Sequence, residues 1–96
     1  MFQVSIRPQW QLDRGAGAPE LPRLIELLVL IDECGTLREA CQRMGMSYRY
    51  AWGMLREGAR AFDMPLVISR RGRGALLSPL GERLVWADRR IAARLT

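Results

Sequence analysis

Apolar residues recur at helical spacing in four stretches of the chain, which are separated by short segments rich in glycine, proline and serine. The first predicted helix covers residues 19–34, and its apolar face is wide enough to place it at the centre of the core. Two further helices are predicted at 36–44 and 47–62, and a last helix at 79–95. The pattern therefore predicts a mainly helical protein.

Two further stretches have the pattern of strands. Residues 1–12 alternate in part between apolar and polar side chains, which predicts a strand that bends at Pro8. Residues 66–77 predict a β-hairpin, whose turn at residues 70–74 holds three arginines and two glycines. A chain of 96 residues has room for one domain. We therefore expect a single domain, 1–96, of mainly α structure with a small β part (α+β).

The two central helices are joined by only three or four residues, one of them Gly45. Thr36 and Glu39 form a capping box that opens the first of these helices, and Ser47 caps the second. Two helices joined by so short a turn follow the helix-turn-helix pattern. A basic hairpin directly after them, at 66–77, has the position of a wing. The predicted fold is thus a winged helix-turn-helix with an N-terminal strand and a C-terminal helix.

Positive charge is concentrated in the same central part of the chain. The chain carries 15 basic residues, all of them arginine, against 10 acidic ones, a net charge of +5. Residues 35–75 hold eight of the arginines and three of the acids, so the whole excess lies there. Codon usage in a GC-rich genome is the simplest reason for the absence of lysine, but it does not explain this placement. The asymmetry indicates a polyanion-binding surface on an otherwise neutral body.

The same composition excludes several kinds of chemistry. Without histidine the chain cannot form a Ser-His or Cys-His dyad or a histidine metal site, and two cysteines alone cannot complete a structural zinc site. We therefore expect no catalytic activity, no cofactor and no metal. Cys34 and Cys41 are expected to be free thiols rather than a disulfide, with Cys41 as a small apolar group at a helix crossing.

Nothing in the sequence indicates export or membrane insertion. The N-terminus has no positive segment followed by an apolar one, and the longest apolar run, residues 27–31, is far too short to span a bilayer. We expect a cytoplasmic protein with no membrane partner.

The helix predicted at 47–62 carries a basic stripe. Arg49, Gly53, Arg56 and Arg60 share one face, opposite the apolar residues. The first residues of a recognition helix meet base edges in the major groove, where arginine binds guanine through two hydrogen bonds. Arg49 is therefore expected at bases, and Arg56 and Arg60 at phosphates. Gly53 would allow DNA or another helix to approach closely. The alternative interpretation of the stripe is an ordinary solvated face.

The arginine-glycine turn at 70–74 also has more than one interpretation. A phosphate-binding nucleotide loop needs a helix after the glycines, whereas a strand-like segment follows here. A wing tip on the DNA backbone or minor groove fits its charge and position, and a plain solvated turn is the alternative.

Trp52, in the helix predicted at 47–62, also has two interpretations, because it could pack on the last helix instead of contacting DNA. The candidate DNA-binding residues are Thr36, Ser47, Tyr48, Arg49, Trp52, Gly53, Arg56, Arg70, Arg71, Gly72 and Arg73.

The last predicted helix carries an apolar stripe with 4-3-4 spacing, which is a short heptad seam. Such a seam is equally consistent with packing on the protein's own core and with pairing between two subunits. Pairing would make the protein a homodimer. The candidate dimer residues are Leu80, Leu84, Ala87, Ile91 and Leu95.

The central motif resembles a known family of regulators. The matching residues are Gly35-Thr36-Leu37, Ala40, Gly45-Met46-Ser47-Tyr48-Arg49 and Ala51-Trp52, together with 65–67, 71–75 and 77–82 around the hairpin. They resemble the N-terminal domain of ModE-type, molybdenum-dependent transcriptional regulators and its LysR relatives. Cys41 departs from the pattern, because LysR-type relatives often carry a second alanine there.

The resemblance implies a bacterial, dimeric winged helix-turn-helix that binds a pseudo-palindromic site on double-stranded DNA, with its last helix forming the dimer. It implies that Ser47, Tyr48 and Arg49 lie near bases or phosphates, and that the turn at 70–74 lies on the DNA backbone. The family binds molybdate or another ligand in a C-terminal effector region that these 96 residues lack, so the effector stays unassigned. We expect a sequence-specific DNA-binding transcriptional regulator. The alternative is a winged-helix module that binds protein.

Overall fold

The structure, a computed structural model, describes residues 21–72 and 74–95. Within these ranges the elements are α1 (Leu21–Cys34), α2 (Leu37–Met44), α3 (Tyr48–Phe62), β1 (Val67–Arg70), β2 (Gly74–Leu77) and α4 (Pro79–Leu95). They confirm the prediction of a mainly helical α+β fold with one small antiparallel sheet. The predicted strand at 1–12 and the predicted start of the first helix at residue 19 lie outside the described residues. No helix in these ranges is both long and apolar enough to cross a membrane.

Two hydroxyl side chains begin the central helices. Thr36 Oγ1 accepts a hydrogen bond from the backbone N–H of Glu39 at 3.3 Å, and Ser47 Oγ accepts one from Tyr50 at 3.0 Å. Each hydroxyl satisfies an N–H that has no partner within its helix. Between them Gly45 ends α2 in the left-handed region, at φ 67°, where glycine has no steric penalty. The predicted caps and the three-residue connection are therefore confirmed.

The end of α3 is formed by an aspartate rather than a glycine. Asp63 has φ 58°, and the N–H groups of Asp63 and Met64 donate to the carbonyls of Arg60 and Ala59 at 3.3 and 3.0 Å. Aspartate adopts this left-handed conformation more readily than most residues that carry a Cβ. The chain then passes through Pro65 into β1, so α3 ends where the sequence predicted.

The first helix lies at the centre of the core. It packs against α2, α3, α4 and β2. Its buried residues are Leu21, Leu24, Ile25, Leu27, Leu28 and Ile31. A helix with neighbours on several sides needs an apolar face this wide, as the sequence pattern predicted.

A glycine allows α3 to approach α1 closely. Gly58 is buried, and a Cβ there would lie 2.6 Å from Leu24 Cδ2 and 2.6 Å from Leu66 Cδ1. By contrast, a Cβ on Gly53 would have no atom within 4 Å in the described part of the chain. Among the described residues, therefore, no helix approaches Gly53, and Gly58 is the glycine at a close helix contact.

The base of the hairpin is joined to the start of α4 by Ser78, which is only 1% exposed. Its backbone N–H donates to the carbonyl of Leu66 at 2.9 Å, and its Oγ donates to the carbonyl of Pro65 at 2.7 Å. The same Oγ accepts from the N–H of Gly81 at 3.1 Å, so it also caps the helix. A Cβ on Gly81 would overlap the carbonyl oxygen of Leu66. The hairpin and the first turn of α4 therefore meet backbone to backbone.

The middle of α4 is attached to α1 by apolar packing and by an ion pair. Leu84 and Val85 belong to the buried core. One turn later, Arg89 Nη1 lies 2.6 Å from Asp32 Oδ2, and Arg89 Nη2 lies 3.8 Å from Glu33 Oε1. Because all three side chains are roughly half exposed, we expect this cluster to contribute no more than about 1 kcal/mol. The apolar contacts dominate the attachment of α4.

We expect Gly81→Ala to lower the free energy of unfolding by about 1–3 kcal/mol, because the added methyl group meets a backbone carbonyl that cannot rotate away. Alanine's better helix propensity, about 1 kcal/mol, offsets part of this loss. The matched control is Gly53→Ala, which has open space and should raise the free energy of unfolding by up to about 1 kcal/mol. Urea titration of both variants measures the difference. Equal effects of the two substitutions would contradict the close contact at Gly81.

Candidate nucleic-acid interface

The two faces of α3 differ sharply in exposure. Arg49, Gly53, Arg56 and Arg60 are exposed along one side, and the opposite side is buried through Ala51, Leu55 and Gly58. The buried residues hold the helix against the core. The stripe predicted from the sequence is therefore on the solvent side, where it is free to meet a partner.

Aromatic side chains lie at the beginning of α3. Tyr48 is 39% exposed, and its ring stands edge-on to the ring of Trp52, with centroids 6.1 Å apart and planes at 84°. Trp52 is half-buried and packs against the hydrophobic core. One end of this aromatic pair therefore belongs to the core and the other end reaches solvent.

A residue from α2 completes this cluster, and sequence reasoning missed it. The Arg38 guanidinium carbon lies 5.1 Å from the centre of the Tyr48 ring, within the range of a cation–π interaction. Arg38 is the second residue of α2. The spacing of residues along one helix does not show which side chains of another helix they contact, so the sequence pattern did not predict this pair. The Thr36 and Ser47 hydroxyl oxygens, which were also predicted at the interface, accept hydrogen bonds from the first turns of α2 and α3.

The hairpin presents a basic turn to solvent. Arg70, Arg71 and Gly72 are exposed, and Arg70 pairs with Gly74 across the two strands. Gly72 and Gly74 have φ 80° and 73°, so this turn requires residues without a Cβ. The candidate Arg73 lies outside the described residues.

The arginines of these two surfaces have no acidic partner among the described residues. Arg49, Arg56, Arg70 and Arg71 form no ion pair there, whereas Arg89 pairs with Asp32 and Glu33 at the contact of α1 and α4. Their charge is therefore available to an external anion. The surface predicted from net charge thus coincides with exposed arginines.

A groove of about 600 Å³ lies between the end of α1, the hairpin and α4. Two acids, Asp32 and Glu82, and two arginines, Arg70 and Arg71, are among the residues that line it. Its walls carry both signs of charge, so it does not favour a simple anion. In the described part of the chain, no three His, Cys, Asp or Glu side chains come together as a metal site would require.

The two cysteines are free thiols, as predicted. Cys41 is buried within the core, as expected for a small residue at a helix crossing. Burial raises the pKa of its thiol, and the positive charge of Arg38 partly opposes the shift. A thiol that is buried and protonated is unreactive, so Cys41 has a packing role.

The stripe predicted for dimerisation is divided between core and surface. Leu84 is buried in the chain's own core, and Leu80 is half-buried and packs against it. Ala87 is half-buried and Ile91 is 41% exposed, while the side chain of Leu95 is outside the described part. Of the two interpretations, packing on the core holds for Leu80 and Leu84. Ile91 remains accessible to a second subunit.

Sequence reasoning also missed a large apolar side chain that α4 exposes to solvent. Trp86 is 61% exposed, and the guanidinium carbon of Arg90 lies 4.9 Å from its ring centre. Its position four residues before Arg90 on a helix is the signal that would have suggested this pair.

Comparison with known proteins gives one partial similarity. The chain is 32% identical over 67 residues to the molybdenum-pterin-binding protein MopB of Rhodobacter capsulatus, a match that covers 66% of this chain and 25% of that protein. The chain therefore spans about a quarter of the length of the curated relative that it matches. No family model matches the chain.

Proposed function

We propose that this chain is a winged helix-turn-helix domain that binds double-stranded DNA in a sequence-specific manner, as part of a ModE-type, LysR-like bacterial transcriptional regulator. The observation that carries the proposal is the exposed stripe of arginines on α3, opposite a buried face, which form no ion pair among the described residues. A helix held in this way after a three-residue turn can enter a major groove without losing its core contacts. The domain acts in the cytoplasm and has no catalytic role.

In this proposal α3 is the recognition helix and the hairpin is the wing. Arg49, near the start of α3, contacts base edges, and Arg56 contacts phosphate further along the helix. The basic turn with Arg70 and Arg71 lies on the backbone or in the minor groove. Gly53 is exposed in open space, which suits a close approach of DNA.

The similarity to the molybdenum-pterin-binding protein supports a relationship to molybdenum-dependent regulation. The molybdenum-pterin-binding role belongs to that relative, of which this chain matches 25%. We assign no cofactor and no effector ligand to these 96 residues.

The second candidate function is a winged-helix module that binds a protein. The exposed Trp86 favours it, because large aromatic side chains are enriched at protein interfaces. The arginines on α3 and the hairpin, which form no ion pair in the part of the chain that the structure describes, favour DNA, because a polyanion offers a phosphate to each of them.

Selection of bound sites from a random duplex library tests the proposal. We expect a palindromic consensus, as a two-fold symmetric dimer requires. Binding to the selected duplex should weaken with salt, with a log–log slope of about −0.9 per phosphate contacted. Failure to enrich any sequence would overturn sequence-specific binding. Affinity that does not change between about 50 and 300 mM salt would overturn the phosphate contacts.

Arg49→Ala and Arg71→Ala should have different effects. We expect Arg49→Ala to reduce discrimination at one base pair by about 1–3 kcal/mol. Arg71→Ala should weaken binding to all sequences alike and reduce the salt slope by about one. Titration of selected and scrambled duplexes separates the two effects. Arg94→Ala, an exposed arginine in the last turn of α4, is the control for loss of one charge. The assignment of this surface is wrong if both variants behave like that control.

Ile91→Glu should convert a homodimer into monomers without unfolding the chain. Ile91 is 41% exposed in the single chain, so a carboxylate there is solvated in a monomer but buried in an interface. The control Ala93→Glu adds the same charge at an exposed position two residues later. Light scattering with size-exclusion chromatography gives the mass of each variant. A dimer that persists in Ile91→Glu would contradict an interface at this end of α4.

A further inference from the structure

Three side chains form a continuous row across the junction of α2 and α3. Arg38 on α2 lies over the ring of Tyr48 at 5.1 Å, and that ring stands against the ring of Trp52 at 6.1 Å. The row, Arg38–Tyr48–Trp52, is exposed at the arginine and half-buried at the tryptophan. Tyr48 immediately precedes Arg49, the first arginine of the exposed stripe, in the chain.

The partner of Arg38 is a ring and not a carboxylate. No acidic side chain within 4 Å of its guanidinium is found in the described ranges, where the ion pairs involve Arg89. A contact with a neutral ring holds an arginine in place without cancelling its charge. The row therefore orders Arg38 and Tyr48 while it leaves the surface positive.

The ring of Tyr48 has two contacts, one with Arg38 and one with Trp52. Tyr48 is the first residue of α3, and as a half-exposed side chain it would otherwise sample several rotamers. Trp52, one turn later, and Arg38, from the other helix, restrict it. A side chain that is ordered before binding loses less entropy when its partner arrives.

We propose that Arg38 is a positioning residue for DNA recognition, which holds Tyr48 against Trp52 so that the start of α3 meets DNA already ordered. The inference rests on the proposed function, because it concerns the same surface. In this arrangement Arg38 acts through Tyr48, and its own contact with phosphate is not needed.

A double-mutant cycle on duplex binding tests the inference. Arg38→Met keeps the length of the side chain and removes the cation, and it should weaken binding to the selected duplex about two- to fivefold. Arg38→Lys should restore most of the affinity, because an ammonium group also binds the face of a ring. In a Tyr48→Leu background, Arg38→Met should have almost no further effect. Urea unfolding of each variant reports whether stability has changed.

Direct contact of Arg38 with phosphate would give a different result. Arg38→Met would then cost the same factor with and without the Tyr48 ring, and the salt slope would fall by about 0.9. Either observation overturns the positioning role. Arg43→Met is the matched control, because it removes an exposed arginine of the same helix that has no ring contact among the described residues.

A measurement on the free protein separates this inference from the proposed function. The side-chain protons of Arg38 should have upfield ring-current shifts in NMR spectra, and Tyr48→Leu should abolish them without any DNA present. If the parent protein lacks these shifts, Arg38 does not contact the Tyr48 ring and the inference fails. If the parent selects no duplex, the proposed function and the inference both fail although the shifts remain. If the parent binds selectively and the cycle is additive, only the inference fails.

Discussion

Leu66 joins α3, the hairpin and α4, and the first two of these carry the proposed DNA-binding surface. Its side chain is 1% exposed and lies where a Cβ of Gly58 would be, so it sets the distance between the hairpin and α3. Its carbonyl accepts the N–H of Ser78 and lies directly against Gly81, so it also sets the start of α4. Both glycines lack a side chain because the same leucine occupies the space beside them. The basic turn of the hairpin therefore has a defined position relative to α3.

The electrostatic character of the surface depends on where the acidic residues lie relative to the arginines. Asp32 and Glu33, at the end of α1, both face Arg89 where α1 meets α4, and this arginine offsets one of their two charges. The arginines of α3 and the hairpin form no ion pair within the described ranges, although Asp32 and Glu82 share a groove with Arg70 and Arg71. Exposed charges of this kind contribute little to folding, and their effect appears when a polyanion approaches. The fold thus separates the charges that hold α4 from those that remain available.

Much of the local structure was predictable from neighbouring residues. The caps at Thr36 and Ser47 and the glycine turn at Gly45 depend on residues within one helical turn, so a short window of sequence contains their cause. The exposed stripe on α3 was predictable for the same reason, because helical periodicity places Arg49 and Arg56 on one face. The contacts between helices were not predictable in this way. Helical periodicity places Gly58 on the buried face with Ala51 and Leu55, but only the tertiary structure shows that Leu24 and Leu66 lie against it.

The sequence by itself determined the order of the elements, their ends and the concentration of charge in the central part of the chain, because each depends on local backbone preference or on composition. The tertiary structure decided which residues meet across elements. It placed Leu84 in the core and left Ile91 exposed, although both belong to one heptad seam. It also brought Arg38 onto Tyr48. Such contacts depend on how whole helices pack around α1, and the spacing of residues along one helix carries no information about the helix that faces it.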